Sequence, residues 1–336
     1  MNTHELPMVI FTVLTQMSVG TFLALGVIEL LTRRRHDQET RDRLVDPALY
    51  AIGPTLVVGL AVSMLHMNDP TNMLNVIRHG DSSWLSREIW MGVLFAAVGF
   101  LYAFLEWFKK GSHSLHQVIA GAAALLGLGL VWAQSMVYYS LVTVPAWHSW
   151  VVPFQFFATT VLLGALAVGA ALMVTTLVRT RATAAAPGPA DPDPTASRGG
   201  LALQVRTRVH EINAPTSEEE WQLTAGILKG VAVVGTITCL AILAVYPLYL
   251  VNLGQGDAAA QASAAVFSGA AFWTRLVLTA STAVLLGFFV YRMALSMSLT
   301  RSRTLVTLVL VCLVLALVAE LLGRMLHYEA MVRVGM

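Results

Sequence analysis

Long apolar runs separated by short polar segments make up most of the chain. Each run has about 20 residues, the length that an α-helix needs to cross the hydrocarbon core of a bilayer. We count eight runs and predict a transmembrane helix in each of them: 8–31, 48–67, 86–107, 117–139, 151–177, 222–250, 272–294 and 304–327. The pattern therefore predicts an all-α integral membrane protein with eight transmembrane helices.

The basic residues predict how these helices are oriented. An even number of spans places both termini on one side of the membrane. The odd-numbered loops carry fourteen Lys and Arg residues, and the loops and helix ends on the other side carry five. Because Lys and Arg are enriched in cytoplasmic loops, the odd-numbered loops are predicted to be cytoplasmic. Both termini are then predicted to lie on the periplasmic (outer) side.

One long polar segment, 179–221, interrupts the series of spans. Its stretch "ATAAAPGPADPDPTASRGG" is rich in Pro, Gly and Ala and has no apolar period, which is typical of a disordered linker. Ser217 and Glu220 have the spacing of a capping box and predict a helix start there. We therefore expect a single membrane domain, with helices 1–5 in 1–178, a disordered-like cytoplasmic loop in 179–221 and helices 6–8 in 222–336.

The composition argues against a soluble protein and against a soluble enzyme domain. The chain is 57% hydrophobic and 12% charged, whereas about a quarter of the residues of a soluble domain are charged. Cys239 and Cys312 both fall in apolar runs without a CxxC spacing, so we expect buried free thiols and no metal or cluster ligands. Glu5 before the first run and "RRR" after it argue against a signal peptide. No phosphate-binding loop or catalytic triad spacing is found, and no segment remains for a soluble enzyme domain.

The polar residues inside the predicted spans gather in the outer leaflet. A charged group in hydrocarbon costs about 3 kcal/mol or more, so each one needs a structural or functional reason. A rise of about 1.5 Å per residue gives their depths. The candidate ligand-binding residues at the outer side are Gln16, His66, Arg87, Glu88, Glu320 and Arg324. Their shared depth predicts a binding site at this side.

Each candidate also has a purely structural interpretation. His66 fits an interfacial histidine, and Glu88 fits a first-turn carboxylate that the helix dipole stabilises. Gln16 fits an interhelical hydrogen bond. Glu320 and Arg324 are four residues apart on one helix face and fit an ion pair. At the inner side, Glu106, Lys109 and Lys110 read as ordinary interface residues, and both interpretations of the outer candidates stay open.

Five segments, taken together, resemble the membrane anchor subunit of dimethyl sulfoxide reductase, the DmsC family. They follow in order along nearly the whole chain: "ELPMVIFTVLTQMSVGTFLALG" (5–26), "SMLHMNDP" (63–70), "LSREIWMGVLFAAVG" (85–99), "TVPAW" (143–147) and "AELLGRMLHY" (319–328). The resemblance implies a multi-pass subunit of the bacterial cytoplasmic membrane with no haem or iron–sulfur cluster of its own. The sequence departs from the family in one place, since its 179–221 loop is longer than is usual there.

The resemblance further implies a role in anaerobic respiration. Such a subunit oxidises menaquinol near the outer face and passes electrons to a four-cluster iron–sulfur subunit, which supplies a molybdopterin catalytic subunit. The protein would then belong to an oxidoreductase complex without holding its catalytic centre. In that family the histidine that ends span two and the glutamate that opens span three are associated with the quinol site. They match His66 and Glu88.

Quinol oxidation needs acceptors for two protons. Imidazole titrates near neutral pH, so His66 can hold a quinol hydroxyl or take its proton. Glu88 at the aqueous edge can relay that proton outward, and Arg324 can orient Glu320 or the second quinol oxygen. A b-type haem would need two histidines at matched depth, for which His66 and His327 are the conceivable pair. We do not predict a haem, and a pair of haems that crosses the bilayer is not available, because the inner leaflet has no histidine within a span.

Two other functions stay open. A transporter or channel would place polar residues near the midplane in broken helices, whereas these spans are mostly uninterrupted, apart from Pro247 near the end of span six. A scaffold that binds partner subunits but no quinol is the second alternative. The quinone species and the terminal electron acceptor are not determined by the sequence.

Overall fold

The structure is a computed structural model that describes residues 6–33, 37–64, 83–185, 205, 207, 209–210, 212–296 and 302–335. Every main element in these ranges is a helix: α1 Leu6–Thr32, α2 Gln38–Met64, α3 Trp84–Trp107, α4 His113–Tyr139, α5 Val151–Ala185, α6 Glu218–Gly254, α7 Ala258–Val266, α8 Ala270–Ser296 and α9 Ser302–Glu329. Within α8, a π-helical segment covers Leu285–Val290. The predicted all-α architecture is confirmed.

Seven helices in the described ranges are long and apolar enough to cross a membrane: α1, α3, α4, α5, α6, α8 and α9. The protein is therefore an integral membrane protein. The second predicted span corresponds to α2, which does not meet these criteria in its described part and begins with a strongly charged segment, "QETRDRLVD". The count of eight spans and the side of the termini remain predictions.

The connections differ from the predicted loops in two places. Helix α5 continues to Ala185, so the first seven residues of the predicted 179–221 loop are helical. A short helix, α7, follows the N-cap Asp257 in a segment predicted as a loop. At the other end of the long loop, the predicted capping box is confirmed, since Ser217 and Glu220 exchange both hydrogen bonds.

Ion pairs explain why α5 is longer than predicted. The buried Arg179 donates hydrogen bonds to the carbonyl oxygens of Ile212 (2.6 Å) and Arg43 (2.8 Å). Arg43 pairs with the buried Glu220 at 2.6 Å, and Arg179 lies 3.8 Å from the same carboxylate. These contacts hold the end of α5 against α2 and the start of α6.

Helix packing brings the two halves of the protein together around α5. The hairpins α1–α2 and α3–α4 are each closely paired, and α5 contacts α1, α6 and α9. Helices α1 and α5 cross at Gly20 and Gly164, where a Cβ on either glycine would overlap the backbone of the other helix. Such small residues let helix backbones approach closely in a membrane. The crossing places Gln16, one turn before Gly20, in the interior.

The bundle has two polar ends. We name them after residues that they hold, the Glu88 end and the Lys109 end. The prediction puts the Glu88 end at the outer side of the membrane. Between the ends, the interior is apolar and includes Cys239 and Cys312, both fully buried and free, as predicted.

Candidate functional site

Four side chains from four helices meet inside the Glu88 end. We call them the buried polar network: Gln16 of α1, Glu88 of α3, Gln134 of α4 and Arg324 of α9. The Arg324 Nη2 donates to Gln16 Oε1 at 3.1 Å, and Gln16 Nε2 donates to Gln134 Oε1 at 3.4 Å. The Glu88 carboxyl lies next to the Gln134 side chain. All four side chains are buried, so this network lies within the protein and away from bulk water. The prediction that Glu88 lies at the aqueous edge is therefore wrong, because the packed helices cover its side chain.

The network can still bind another polar group. Within the described residues, the Gln134 Nε2 has no hydrogen bond of ordinary geometry, and neither has the Arg324 Nε. A buried donor without a partner costs about 1–3 kcal/mol. A ligand oxygen that accepts from Gln134 beside the Glu88 carboxyl would remove this cost.

A second polar cluster adjoins Arg324. Arg275 of α8 donates to Gln155 Oε1 at 3.0 Å and lies 3.6 Å from Glu320 Oε2. Thr159 donates to the same Glu320 oxygen at 2.6 Å. Glu320 therefore forms its ion pair with Arg275. Glu320 and Arg324 do not form an ion pair with each other, because the Arg324 side chain points towards Gln16 on α1.

Arg324 is fixed from a second direction by an aromatic ring. Its guanidinium carbon lies 3.6 Å from the ring centroid of Phe156 on α5. A cation over a ring face gains about 2 kcal/mol when both are desolvated. Together with the Gln16 hydrogen bond, this contact orients the side chain across the interface between α5, α9 and α1.

A small polar cavity of about 40 Å³ lies between α5, α6, α8 and α9. Five buried polar atoms without a hydrogen-bond partner in the described ranges belong to residues that line it: Gln155 Nε2, Arg275 Nε, Glu320 Oε1, Arg324 Nε and His327 Nε2. A water molecule needs about 10–15 Å³ of such space. The cavity therefore has room for about three waters, and it is too small for an aromatic ring.

His327 is held in an aromatic box. Its ring stacks on Trp147 with centroids 5.3 Å apart and meets the edge of Tyr138 at 4.8 Å. Trp147 Nε1 donates to the His327 carbonyl oxygen at 2.7 Å, and Tyr138 and Tyr328 share a hydrogen bond of 2.7 Å. These contacts tie α9 to α4 and to the segment before α5, next to the buried polar network.

An apolar cavity of about 590 Å³ lies between α2 and α3. It includes Phe95 and Ala96, about two helical turns from Glu88, and extends past Gly99 to Trp107. Binding sites for small molecules are typically about 300–1,000 Å³ and mostly apolar. The cavity thus offers space for an apolar ligand on the face of α3 that leads to Glu88.

The structure brings four of the six predicted site residues to one region: Gln16, Glu88, Glu320 and Arg324. Arg87 is placed differently, with its guanidinium 4.4 Å from the ring centroid of Trp84 on the same helix. His66 lies outside the described residues, so its place in the site remains a prediction.

Sequence reasoning did not assign roles to Gln134 and Arg275. Gln134 carries the same signal as Gln16, an amide in the middle of an apolar run ("VWAQSM"). Arg275 lies at the start of the predicted span 272–294, but its partner on another helix could not be predicted from helical spacing. Gln155 and Thr159 had no distinguishing signal.

Comparison with known proteins places this sequence next to one family. The sequence model described as DMSO reductase anchor subunit (DmsC) matches residues 1–187, more than half of the 336 residues. The C subunit of the anaerobic dimethyl sulfoxide reductase of Escherichia coli K12 is 34% identical over 156 residues, 46% of this protein and 53% of the relative. The YnfH subunit of an anaerobic dimethyl sulfoxide reductase of the same organism is 32% identical over 169 residues, 50% and 58% of the two proteins.

A third relative, the C subunit of the anaerobic dimethyl sulfoxide reductase of Haemophilus influenzae, is 29% identical over 177 residues, 52% of this protein and 61% of the relative. The match thus spans little more than half the length of these curated relatives. The segment 319–328, which contributed to the resemblance in the sequence, lies beyond the residues that the family model matches.

Proposed function

The protein belongs to the DmsC family of DMSO reductase anchor subunits, and from this membership we propose that it is the quinol-oxidising membrane anchor of a DMSO-reductase-type complex. In this proposal it takes electrons from menaquinol at the Glu88 end and passes them to a four-cluster iron–sulfur subunit. That subunit supplies a molybdopterin subunit in anaerobic respiration at the cytoplasmic membrane. The anchor holds the quinol as a substrate and has no haem or iron–sulfur cluster of its own.

The observation that carries the proposal is the meeting of Glu88, Gln134, Gln16 and Arg324 inside an otherwise apolar bundle. A purely structural network would satisfy its donors, whereas Gln134 Nε2 meets the Glu88 carboxyl without a hydrogen bond of ordinary geometry, and Arg324 Nε has none in the described ranges. The apolar cavity between α2 and α3 supports a lipid-soluble ligand, because it lies along the same helix as Glu88.

The chemistry assigns each residue one task. Gln134 donates a hydrogen bond to a quinol oxygen and positions the ring beside Glu88. His66, at the predicted end of the second span, takes a hydroxyl proton, and Glu88 relays a proton towards the outer surface. Arg324 holds Gln16, which fixes the orientation of the Gln134 amide. The two electrons leave to the iron–sulfur partner on the outer side.

The proposed arrangement predicts whether turnover moves net charge across the membrane. If quinol protons leave on the outer side and the partner also reduces its substrate there, turnover moves no net charge across the membrane. Sealed vesicles that contain the complex should therefore develop no membrane potential during quinol-dependent turnover, as read with a potential-sensitive dye. A potential that uncouplers abolish would contradict this sidedness.

Two substitutions test the site. Glu88→Gln keeps the side-chain shape but removes the proton acceptor, and we expect quinol-dependent reduction to fall at least tenfold. Gly99→Leu puts a side chain into the α2–α3 cavity, where a Cβ at Gly99 meets no atom within 4 Å; we expect the KM for quinol to rise. Gly230→Leu on α6 is the matched control, since a Cβ there also meets no neighbour.

Reduction of the partner by an artificial electron donor must stay normal in all variants, because it bypasses the quinol. Normal quinol-dependent turnover in Glu88→Gln and in His66→Ala would refute the proposal. It would favour a scaffold, or a transporter if a solute flux were found.

A further inference from the structure

A separate cavity lies at the Lys109 end, the opposite end from the buried polar network. It measures about 450 Å³ and lies between the hairpins α1–α2 and α3–α4. Phe22 and Leu49 line both this cavity and the apolar cavity between α2 and α3, so they form the wall between the two. We call it the inner cavity, after the predicted position of this end.

The floor of the inner cavity is apolar and aromatic. Tyr102 meets the edge of Phe22 with ring centroids 5.8 Å apart and faces the His116 ring at 6.0 Å. Leu25 and Ala124 complete the floor. The three rings thus form an aromatic surface that lines the cavity, against which a flat ring can pack.

Charged residues at the rim of the inner cavity are paired with one another. Arg41 contacts Glu29, and Lys109 contacts Glu106. Lys109 Nζ also lies 2.7 Å from Asp42 and 3.7 Å from Asp46. Four carboxylates thus share two paired cations at this rim. A negatively charged ligand would meet an excess of carboxylates and would have to compete with them for the cations.

Hydrogen-bonding groups at the same rim are held in place. His116 Nδ1 lies 3.1 Å from Glu106 Oε2, and its Nε2 lies 2.9 Å from the Lys110 carbonyl oxygen. Gln117 Nε2 lies 3.1 Å from His113 Nε2. Glu106 itself is buried. The polar groups of the rim are therefore held in fixed orientations by their contacts with one another.

The cavity has a side that faces the lipid. Val27 and Leu30 of α1 border it and are 54% and 70% exposed. Gly26 and Gly121 also line it, and a Cβ on either glycine would meet no atom within 4 Å. A ligand dissolved in the bilayer can reach the inner cavity between α1 and α4 without a change in the fold.

From these observations we propose that the inner cavity is a second binding site for a lipid-soluble, uncharged aromatic ring that carries carbonyl or hydroxyl groups, namely a quinone or quinol. The ring lies among Phe22, Tyr102 and His116, its oxygens meet the polar rim, and its apolar tail leaves past Val27 and Leu30. This assignment rests on the proposed function for the choice of ligand class.

A phospholipid fits this cavity less well. Its phosphate would meet the carboxylates of Glu29, Asp42, Asp46 and Glu106, which already hold Arg41 and Lys109 in ion pairs. Arg33 also lines the cavity, but three cations do not balance four carboxylates and an added phosphate. The site also lies at the end of the bundle opposite Glu88. The Glu88 end therefore retains the oxidation step of the proposed function.

The test uses the purified complex with its partner subunits, reconstituted in lipid nanodiscs. The probe is a naphthoquinone that carries a photoreactive diazirine and a short isoprenoid tail. After irradiation, labelled residues are identified by mass spectrometry, with an excess of unlabelled naphthoquinone as competitor. We expect two competed clusters of labels, one near Glu88 and one on α1 and α4 near Gly121.

Substitutions separate the two clusters. Gly121→Leu fills the inner cavity and should reduce the labels near Gly121 at least tenfold, while those near Glu88 persist. Gly230→Leu, a glycine with equal room on α6, should reduce neither. Thermal unfolding of each variant shows whether it is folded. Since the Gly121→Leu result does not depend on turnover, it fails or succeeds independently of the Glu88→Gln activity test.

Labels near Gly121 that persist undiminished in folded Gly121→Leu would overturn the proposal. So would the absence of that cluster in the native complex. A phospholipid that co-purifies with the native protein, is lost in Gly121→Leu and excludes the probe would also overturn it, because the occupant would then be a structural lipid.

Discussion

Arg324 donates a hydrogen bond of 3.1 Å to Gln16, although 308 positions separate them in the sequence. The bond joins the first helix to the last one beside the first turns of α5, where Arg324 lies over Phe156. It also continues to Gln134, next to Glu88. The position of the candidate site therefore depends on tertiary packing at the α1–α5–α9 interface.

Replacing Gln16 tests this relationship. Gln16→Leu leaves the Arg324 Nη2 donor and the Gln134 Oε1 acceptor without this partner in a buried site. We expect the free energy of unfolding to fall by about 1–3 kcal/mol and quinol-dependent turnover to fall more than turnover with an artificial donor. Thermal unfolding in detergent and the two activity assays measure this. Gln222→Leu, on the exposed face of α6, is the control; an equal effect there would contradict the assignment.

The Arg275–Glu320 pair predicts a non-additive response. Arg275→Met leaves the Glu320 carboxylate buried without its cation, which costs about 3–5 kcal/mol. Arg275→Met combined with Glu320→Leu removes both charges and should recover much of the lost stability. The thermal unfolding midpoints of the two single variants and the double variant complete the cycle. Additive losses would mean that the ion pair at 3.6 Å is not coupled.

The glycine crossing predicts a steric response. Gly164→Leu would place a side chain against the Gly20 backbone and separate α1 from α5. We expect a loss of about 3 kcal/mol or more, because overpacking of a close contact forces backbone shifts, and a lower yield of folded protein. Gly226→Leu on α6 meets open space and should leave the yield unchanged. Equal yields of the two variants would argue against the crossing.

The ion pairs of Lys109 predict that the stability of the fold decreases at alkaline pH. Partial burial disfavours its ammonium, but the carboxylates of Asp46, Asp42 and Glu106 outweigh this and raise the pKa of Lys109 above its usual value. A raised pKa in the folded state stabilises the fold below the unfolded pKa of about 10.4. The contribution is lost as pH rises through the higher folded pKa.

The measurement compares native protein with Lys109→Gln from about pH 8 to about pH 11. We expect the native protein to unfold at the higher temperature below about pH 10 and the difference to shrink above that, as the ammonium titrates. Lys110→Gln, at the exposed neighbouring position, should show no such trend. A difference that stays constant up to the highest pH would contradict the role of the ammonium.

Helix positions were predictable because hydrophobic runs of membrane length carry a strong signal. The starts and ends of α3, α4, α8 and α9 lie within a few residues of the predicted spans. The end of α5 was not predictable, because Arg179 holds it through contacts with Arg43 and Glu220 that are distant in sequence. These polar tertiary contacts extend α5 into a segment whose composition predicts a loop.

The candidate site was predictable in part. Depth along the helix correctly grouped Gln16 with Arg324, because depth follows from the helical rise alone. It could not give the rotation of each helix about its axis. For this reason the partner of Glu320 proved to be Arg275, and Arg87 proved to lie over Trp84. At the Lys109 end, Glu106, which was predicted to be an ordinary interface residue, lines a cavity.

The hydrogen bond between α1 and α9 also limits how this protein can be recombined with its relatives. The part that matches the family ends at residue 187, shortly after α5, whereas Arg324 lies in the remainder. A chimaera joined at that boundary would combine Gln16 and Gly20 from one parent with Arg324 from the other. Such hybrids should assemble only when the parent that supplies α9 has a side chain that can hydrogen-bond to the amide on α1. Compatible pairs of halves can then be found by selecting for hybrids that assemble.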